Sequence, residues 1–248
     1  MSKDVLGAFT AGFGHFYKSA KCFTKAYKRT EQKECMLDKV FIINLEHRTD
    51  RKENVLKQLA KVGITDYEFF PAICPTEEEV KAWNPRFLDP MPRWFQGDNV
   101  KYKIGSLGCL LSHRAIIKLC LERNYQNVLI LEDDTEFQIG CPLASIWDIV
   151  KPPEFGLLYL AGNHRGSTLV PYSKYLTQVR GTLTTGSYVV NRSIMQAIVD
   201  GLDRYDREVD IFYAFLQSQY PCYCIFPHVA RQADSFSDIV QREVHYDL

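Results

Sequence analysis

The chain has 248 residues, enough for one domain with a sizeable hydrophobic core. Its hydrophobic share of 46% and charged share of 24% are ordinary for a globular protein. The formal net charge is zero, which gives no support to a nucleic-acid-binding protein. The eight cysteines are scattered along the chain, so a disulfide-rich secreted protein is not expected.

The front of the chain, residues 1–36, is basic and predicts an amphipathic helix. Its apolar residues from Leu6 to Tyr27 recur at alternating spacings of three and four. Such a helix can dock on its own domain, lie on a membrane surface or pair with a second copy of the chain. Residues 5–17 make a poor signal peptide, and no run of ~18 apolar residues predicts a transmembrane helix. We expect an unsecreted protein, in the cytoplasm or at a membrane surface.

The remainder, residues 37–248, is expected to be one α/β domain. It opens with a strand at 40–45, a helix over 50–63 and a strand at 65–73, the usual start of a nucleotide-binding sheet. A Pro-rich loop is predicted over 75–105. In this loop Trp94 and Phe95 either offer a platform to a sugar ring or pin the loop to the core.

The second half of the domain alternates strands with helices. Ser106 is predicted to cap a helix over 106–124 that contains Cys109 and Cys120 as small apolar residues. Strands are predicted at 127–134, 156–162, 186–191 and 222–227, and helices at 193–202 and 207–219. Cys222 and Cys224 read as buried strand residues. A zinc site of these two cysteines with His228 is conceivable, but a C-x-C pair with one histidine gives too few ligands for a structural zinc.

Three consecutive acids follow the strand in "NVLILEDDTEF" (127–137). Carboxylates side by side repel one another and are costly to bury, so we expect a cation near Glu132, Asp133 and Asp134. The carboxyl ends of strands are where ligands of α/β sheets bind. Carboxylate oxygens suit Mn²⁺ or Mg²⁺, which could hold a substrate diphosphate. A solvated acidic turn is the alternative.

Five motifs in order resemble glycosyltransferase family 25. They are "INLEHRTDR" (43–51), "GSLGCLLSH" (105–113), "LILEDDTEF" (129–137), "TTGSYVVNRSIMQAI" (184–198) and "VD" (209–210). The resemblance covers about residues 40–240. It implies a GT-A fold, a single nucleotide-binding domain with a mixed central sheet. It also implies Mn²⁺, with Mg²⁺ as a substitute, a UDP-sugar donor and inversion at the anomeric carbon.

The resemblance also implies residue roles at the donor. Asp134 would bind the metal as part of a D-x-D-like motif, while Glu132 and Asp133 would face the ribose or ordered waters. Three residues after the first strand are placed for the nucleotide: Asn44, Arg48 and Arg51. Arginine suits phosphate through its bidentate fork. For Arg51 the alternative is a solvated residue in the first turn of a helix.

Further positions of the motifs receive roles in the same way. Asp210 would be the base that removes the acceptor proton, although it could cap its helix or only orient the acceptor. Ser112 and His113 would contact the donor, His113 being alternatively a core residue. Tyr188 would line the floor of the donor pocket. His228 would be a histidine metal ligand, a position for which His245 competes.

The function expected from the sequence is an inverting, Mn²⁺-dependent hexosyltransferase. It would move glucose or galactose from a UDP-sugar to a hydroxyl of a glycan, glycolipid or protein acceptor. A metal-dependent phosphoryl-transfer enzyme or nuclease would more naturally carry a Gly-rich phosphate loop or a basic groove. A binding protein that keeps the glycosyltransferase fold without turnover is the other alternative.

Overall fold

A computed structural model of the chain describes residues 36–244. Except for Met36, the segment 1–36 with its predicted amphipathic helix lies outside the described residues, and so does the competing metal ligand His245. The first described strand follows almost at once, at Lys39. The separation of a front extension from a domain at 37–248 therefore stays a prediction.

The centre of the fold is an eight-stranded mixed sheet. In chain order its strands are β1 (Lys39–Asn44), β2 (Glu68–Pro71), β3 (Asn127–Glu132), β5 (Leu157–Tyr159), β6 (Thr168–Ser173), β7 (Leu176–Arg180), β8 (Ser187–Asn191) and β9 (Cys222–Ile225), with β4 (Thr135–Phe137) lying outside this sheet. Their spatial order is β2-β1-β3-β8-β5-β9-β7-β6. The predicted α/β class with a mixed central sheet is confirmed.

Helices cover both faces of this sheet. They are α1 (Thr49–Lys61), α2 (Glu77–Trp83), α3 (Asn99–Glu122), α4 (Leu143–Val150), α5 (Arg192–Gly201) and α6 (Val209–Leu216). Along β1, Phe41 packs into the core beneath α3, α5 and α6, while Ile42 packs into the core beneath α1 and α4. Burial on both faces explains why the strand is a continuous apolar run in place of an alternating one.

The parallel strands β1, β2 and β3 bring their carboxyl ends to one edge of the sheet. Asn44 lies beside Pro71 in the β1–β2 register, and Ile43 lies beside Glu132 in the β1–β3 register. β8 runs antiparallel to β3, so its first residue, Ser187, pairs with Leu131 near the same edge. The acids at the end of β3 are therefore at the sheet edge where ligands of α/β proteins bind, as predicted.

The prediction for residues 75–106 was wrong in two respects. Helix α2 lies within the supposed loop, and its first turn is closed by a capping box between Thr76 and Glu79. Helix α3 begins at Asn99 because the Asp98 carboxylate accepts hydrogen bonds from the backbone N–H groups of Val100 and Lys101. Ser106 is therefore a buried residue inside α3 and not its cap.

Helix α3 is long and apolar enough, by length and composition alone, to cross a membrane, but half of its most apolar window is buried within the protein. Its Cys120 is buried, and the described cysteines are free thiols, as the sequence predicted for this helix and for Cys222 and Cys224. Helix α4, the β6–β7 hairpin and four short strands were not predicted. The short strands are β4 and β10 (Ala230–Gln232), which pair with each other, and β11 (Ser235–Ser237) and β12 (Arg242–Val244), which form a second pair.

We predict that Gly108→Ala destabilises the protein. A Cβ at this position of α3 would lie 2.4 Å from the carbonyl oxygen of Ile73, a backbone atom that cannot turn aside. Overpacking of this kind costs roughly 1–3 kcal/mol, more than the better helix propensity of alanine returns. Urea unfolding measures the change. At Gly140 a Cβ would meet nothing within 4 Å, so Gly140→Ala is the matched control, and equal effects of both substitutions would contradict the prediction.

Candidate active site

A cavity of about 700 Å³ opens at the carboxyl ends of β1 and β3. Its lining includes the three acids after β3, residues of α3, the turn before β8, the start of α6 and the segment around β11 and β12. The predicted site residues on this lining are Arg51, Ser112, His113, Glu132, Asp133, Asp134 and Asp210. The sequence motifs therefore converge on one cavity although they are far apart along the chain.

Glu132 is held by donors on three different elements. Its Oε1 accepts a hydrogen bond from the Thr185 hydroxyl at 2.8 Å and lies 3.4 Å from Nε2 of His113, and its Oε2 accepts from the Gln232 amide at 3.2 Å. Burial favours the neutral acid, but the hydrogen bonds and charge of its neighbours outweigh burial and lower the pKa of Glu132. Glu132 is thus a fixed negative charge in the cavity wall.

Asp133 is bound by the protein on both carboxylate oxygens. Its Oδ2 accepts a hydrogen bond from Nδ2 of Asn44 at 2.8 Å, and its Oδ1 accepts from the Arg51 guanidinium at 2.8 Å. The sequence predicted that this residue faces the ribose or ordered waters. Partners on β1 and α1 contact both oxygens, but Asp133 also lines the cavity, so its contact with the ribose or ordered waters stays a prediction.

Arg51 is a buried cross-link and not the solvated first-turn residue of the alternative. Its side chain is 13% exposed, and besides Asp133 it donates to the Ser235 hydroxyl and to the carbonyl oxygen of Phe236. It also lies 3.6 Å from Oδ2 of Asp134. Arg51 therefore links α1 to the acids and to β11. Part of the Arg51 side chain also lines the cavity.

The other two predicted nucleotide contacts do not line the cavity. Asn44 is buried, and its amide spans Asp133 and the Arg48 carbonyl oxygen. The Arg48 guanidinium forms ion pairs with Asp50 and Asp238. Both residues fix the geometry of the chain after β1, so their predicted contact with the nucleotide is not supported by the arrangement.

Asp134 differs from its two neighbours in having an unsatisfied oxygen. Its side chain is 8% exposed, and its Oδ1 has no hydrogen-bond partner among residues 36–244. Burial and the charge of Glu132 raise the pKa of Asp134 to about 7. Oε1 of Gln232, which also lines the cavity, is a second buried oxygen without a partner in the described part of the chain. Orphaned buried oxygens are costly, and a bound cation would give such an oxygen a partner.

These oxygens fit a hard divalent cation. Carboxylate and amide oxygens are the ligands that Mg²⁺ and Mn²⁺ take in proteins, and the single guanidinium of Arg51 does not balance three acids. Asp134 would hold the ion, with the Gln232 amide oxygen as the available second ligand. No sequence pattern singled out Gln232, because only the pairing of β10 with β4 brings it beside the acids.

His228 does not join Asp134 on the cavity lining. The structure places its imidazole beside His164 and Cys224, with Nε2 of His228 lying 3.1 Å from Nε2 of His164. The prediction that His228 and Asp134 share one metal is therefore not supported. The reason is the path of the chain, which passes His228 before β10 turns toward the acids.

Tyr188 supports the site from beneath and does not line its floor as predicted. Its side chain is wholly buried, and its hydroxyl lies 2.9 Å from Nδ1 of His113 and 3.0 Å from the hydroxyl of Tyr213. His113 carries this chain of polar contacts to Glu132. Ser112 also serves the fold, since its hydroxyl accepts from the Ile73 N–H at 2.8 Å and donates to the Gly108 carbonyl at 2.7 Å.

Asp210 stands in the first turn of α6, on the cavity lining. The residue at the cap position is Glu208, so Asp210 is not the helix cap that the alternative supposed. One of its oxygens accepts from the Thr184 N–H at 3.3 Å, and Thr184 has a positive φ of 79°. Burial, opposed by this hydrogen bond, raises the pKa of Asp210 to about 6. A carboxyl that titrates near neutral pH suits a general base.

Trp94, in the segment that was predicted to be a loop, reaches the cavity. Trp94 lines it with a side chain that is 58% exposed, and packs edge-on against Phe95 and Tyr102. Phe95 stacks on Tyr102, with 4.2 Å between the ring centroids. The two predicted roles are therefore divided, because Phe95 pins the segment to α3 while Trp94 leaves an aromatic surface free at the cavity.

A sequence model of glycosyltransferase family 25, described as LPS biosynthesis protein, matches residues 37–213. The chain belongs to glycosyltransferase family 25. The match spans most of the described residues, and it includes every motif on which the resemblance was based. The single mixed central sheet agrees with the GT-A type of fold that family membership led us to expect.

Curated relatives share about a third of their residues with the chain over the aligned part. A glycosyltransferase 25 family member of Drosophila melanogaster is 33% identical over 116 residues, which are 45% of this chain and 18% of the relative. Procollagen galactosyltransferase 1-B of Xenopus laevis is 36% identical over 110 residues, covering 41% and 17%, and procollagen galactosyltransferase 2 of Mus musculus is 29% identical over 107 residues, covering 41% and 16%. The chain spans less than a fifth of the length of these relatives.

Solved structures resemble the chain only distantly. The protein A197 from STIV has a TM-score of 0.43 at 10% identity, covering 85% of this chain and 95% of that chain. A glycosyltransferase involved in the glycosylation of the major capsid of PBCV-1 has a TM-score of 0.34 at 13% identity, covering 66% and 64%. Similarity at this level does not bear on the function.

The raised pKa of Asp134 predicts a pH dependence of stability in the metal-free protein. Because the folded-state pKa of about 7 exceeds the ordinary 3.8, the contribution of this group to stability is full below about pH 3.8 and is lost as the pH rises through about 7. Asp134→Asn imitates the protonated acid. The difference in free energy of unfolding between Asp134→Asn and the wild type should therefore increase in favour of the variant from pH 4 to pH 8, by at most about 1.4 kcal/mol per pH unit.

Urea unfolding in the presence of a chelator measures this difference. Glu122→Gln is the control, because Glu122 is solvent-exposed and its substitution should leave the profile of the wild type unchanged. Parallel profiles of Asp134→Asn and wild type across this pH range would show that Asp134 ionises normally in the folded protein.

Removing the charge of Arg51 should destabilise the protein strongly. Arg51→Met keeps an apolar side chain of similar length but leaves Asp133 and Asp134 without their cation, which costs roughly 3–5 kcal/mol at neutral pH. Arg123→Met is the matched control, because Arg123 and its partner Glu68 are more than a third exposed and such pairs contribute about 0–1 kcal/mol. Similar unfolding midpoints for the two variants would contradict the cross-linking role of Arg51.

Proposed function

We propose that the chain is an inverting, Mn²⁺-dependent glycosyltransferase that moves a hexose from a UDP-sugar to an acceptor hydroxyl. The observation that carries this proposal is the buried, unpartnered oxygen of Asp134 in a cavity at the carboxyl ends of parallel strands. Family membership supplies the reaction class. The relatives named as procollagen galactosyltransferases support a hexose, and galactose first among hexoses.

Asp134 and Gln232 would hold the metal through their orphaned oxygens. When bound, a divalent ion neutralises the charge that develops on a departing diphosphate. Arg51 adds a second cation on the same wall, and its ion pairs with Asp133 and Asp134 fix its position. Glu132, held by Thr185 and His113, does not need to move for this arrangement.

Asp210 would remove the acceptor proton. As the acceptor oxygen forms its bond to the anomeric carbon, the hydroxyl proton passes to a carboxylate oxygen of Asp210, and the bond from the anomeric carbon to the diphosphate oxygen breaks with its electron pair. One displacement of this kind inverts the anomeric configuration. The raised pKa of about 6 leaves Asp210 mostly ionised at neutral pH yet basic enough to accept the proton.

The exposed aromatic surface of Trp94 and the side chain of Ile211 lie on the cavity lining and are free to contact an acceptor. A glycan, a glycolipid or a protein hydroxyl would each meet an apolar surface there. The basic segment 1–36 would act as a tether to a membrane surface or to a second copy, in a cytoplasmic protein.

A non-catalytic sugar-nucleotide-binding protein is the second candidate. One observation favours it: Arg51 is already neutralised by Asp133 and Asp134, so it has less charge to offer a diphosphate. Such a protein would bind UDP with Mn²⁺ but release no UDP from UDP-hexoses. Turnover therefore separates the two candidates.

The test combines binding with turnover. For the wild type we expect UDP to raise the melting temperature by several degrees at about 100 times its dissociation constant, and only with Mn²⁺ present. Asp134→Asn should lose this shift together with UDP release from UDP-galactose and UDP-glucose. Asp210→Asn should keep the shift but lower kcat by roughly 10²–10⁴-fold. Inversion is read from the anomeric configuration of the product by NMR.

Glu122→Gln, a substitution on the exposed side of α3, is the control for both measurements. A Mn²⁺-dependent UDP shift without turnover would favour the binding protein. If Asp134→Asn keeps both the shift and the turnover, the metal assignment is wrong. A loss of the UDP shift in Asp210→Asn would place Asp210 at the donor and remove it as the base.

A further inference from the structure

A second group of metal-ligand side chains lies outside the cavity. The imidazoles of His164 and His228 and the thiol of Cys224 bring one ligand atom each within 4.8 Å of one another. Cys224 belongs to β9, His164 follows β5, and these two strands run parallel with Tyr159 beside Cys224. The group therefore lies at the carboxyl ends of β5 and β9, and none of its three members lines the cavity.

The geometry of the two histidines suits a shared ion. Their Nε2 atoms are 3.1 Å apart, which is close to the separation of two nitrogens that are each about 2.0–2.1 Å from one tetrahedral ion. Without an ion, only one of the two nitrogens can donate to the other. With an ion, both lone pairs have a partner, and the Cys224 thiol can lose its proton and bind as thiolate.

The surroundings hold one imidazole in the orientation that a metal ligand needs. Nδ1 of His164 lies 2.8 Å from the Thr182 hydroxyl, which directs Nε2 toward His228 and Cys224. Thr182 is itself held from both sides, because its N–H donates to Oε1 of Gln217 and its carbonyl accepts from Nε2 of Gln217, both at 2.8 Å. Metal-bound histidines characteristically have such a partner on the other ring nitrogen.

The side chains of His164 and His228 are only partly buried, which leaves a path for the ion and room for a water as fourth ligand. Phe226 packs against both rings, with centroid distances of 5.2 and 4.8 Å, and limits their rotation.

We propose that His164, Cys224 and His228 form a zinc site, separate from the Mn²⁺ site of the acids. Two imidazoles and a thiolate select Zn²⁺ over Mn²⁺, whereas the carboxylate and amide oxygens near Asp134 prefer the harder ion. The two sites therefore sort two metals by ligand chemistry. This assignment stands on the geometry of the cluster and does not depend on the proposed transferase activity.

The zinc ion would brace one wall of the cavity. From His164 the connection runs through Thr182 to Leu183, whose N–H and carbonyl exchange hydrogen bonds with Asn163 at 2.9 and 3.0 Å. The next residues are Thr184 and Thr185, which contact Asp210 and Glu132. From His228 the chain continues into β10, which ends at Gln232. Zinc would therefore join the two segments that position the polar groups of the cavity.

The first measurement is zinc binding to the full chain after removal of metals. We expect one more Zn²⁺ bound per wild-type chain than per chain of His164→Ala or His228→Ala, and a rise in melting temperature of several degrees with Zn²⁺ that these variants lack. Thr182→Val should weaken zinc binding by roughly 10–100-fold. Cys222→Ser is the matched control, since Cys222 is a buried thiol of the same strand outside the group, and it should bind zinc like the wild type.

Two further variants separate this site from the cavity. Asp134→Asn should keep the zinc and lose only the Mn²⁺-dependent UDP shift. Cys109→Ser tests the second group of potential ligands, formed by Cys109, His113 and Glu132. Zinc that is lost in Cys109→Ser and kept in His164→Ala would overturn the proposal, and so would equal zinc content in wild type, His164→Ala and His228→Ala.

X-ray absorption of the zinc-loaded wild type covers the case in which the variants do not fold. The proposal requires an inner shell with two histidine nitrogens and one sulfur, completed by a lighter atom. A shell with one histidine, one sulfur and carboxylate oxygen would point to Cys109, His113 and Glu132, and a shell without sulfur would exclude both groups. If zinc binds as proposed while UDP and Mn²⁺ do not, the transferase proposal fails alone.

Discussion

The ion pair between Arg51 and Asp133 is the interaction on which the rest of the site depends. It joins the first turn of α1 to the end of β3, and the Nη2 group of Arg51 donates to Ser235 and to the Phe236 carbonyl oxygen. Three adjacent carboxylates could not share so small a volume without such a cation. Because the guanidinium is planar and forked, it fixes positions as well as charge, which a lysine in its place would not do.

Around this pair the three acids have different tasks, set by the direction in which each leaves the strand end. Glu132 turns to Thr185, Gln232 and His113, and its hydrogen bonds keep it ionised. Asp133 turns to Arg51 and Asn44, and its hydrogen bonds to them join α1 and β1 to the end of β3. Asp134 keeps one oxygen without a partner in the described chain. In the function that we propose, a motif of three like charges thus supplies one metal ligand and two supporting residues.

The sequence predicted the elements whose pattern is local. The apolar runs of β1 and β3 and the acids after them were found because burial on both faces leaves a continuous signal. The start of α3 was misplaced because Asp98, its true cap, stands among prolines and glycines that resemble a loop. Gln232 and His164 could not be found, since each acquires its partners across about 100 and 64 residues respectively. Tyr188 was expected on the floor of the donor pocket, whereas its hydroxyl contacts His113 from within the core.

Family membership and structure also divide the work of assigning roles. Resemblance brought Asn44, Arg48 and Arg51 to attention as a group, and only their contacts distinguish them. Asn44 donates a hydrogen bond to Asp133, and Arg48 forms ion pairs with Asp50 and Asp238. Of the three residues, Arg51 alone lines the cavity. A shared motif can therefore mark the architecture of a site as readily as its contacts with a substrate.

Because β8 runs antiparallel to β3, part of the cavity wall is formed by the chain before β8 and not by the sheet itself. β8 begins where β3 ends. Thr184 and Thr185, which precede β8, therefore lie outside the sheet and next to the acids. Insertions or replacements in the chain between β7 and β8 would change the shape of this part of the cavity wall without changing the pairing register of the strands. Related chains can thus diverge in what they recognise without having to redesign how they fold.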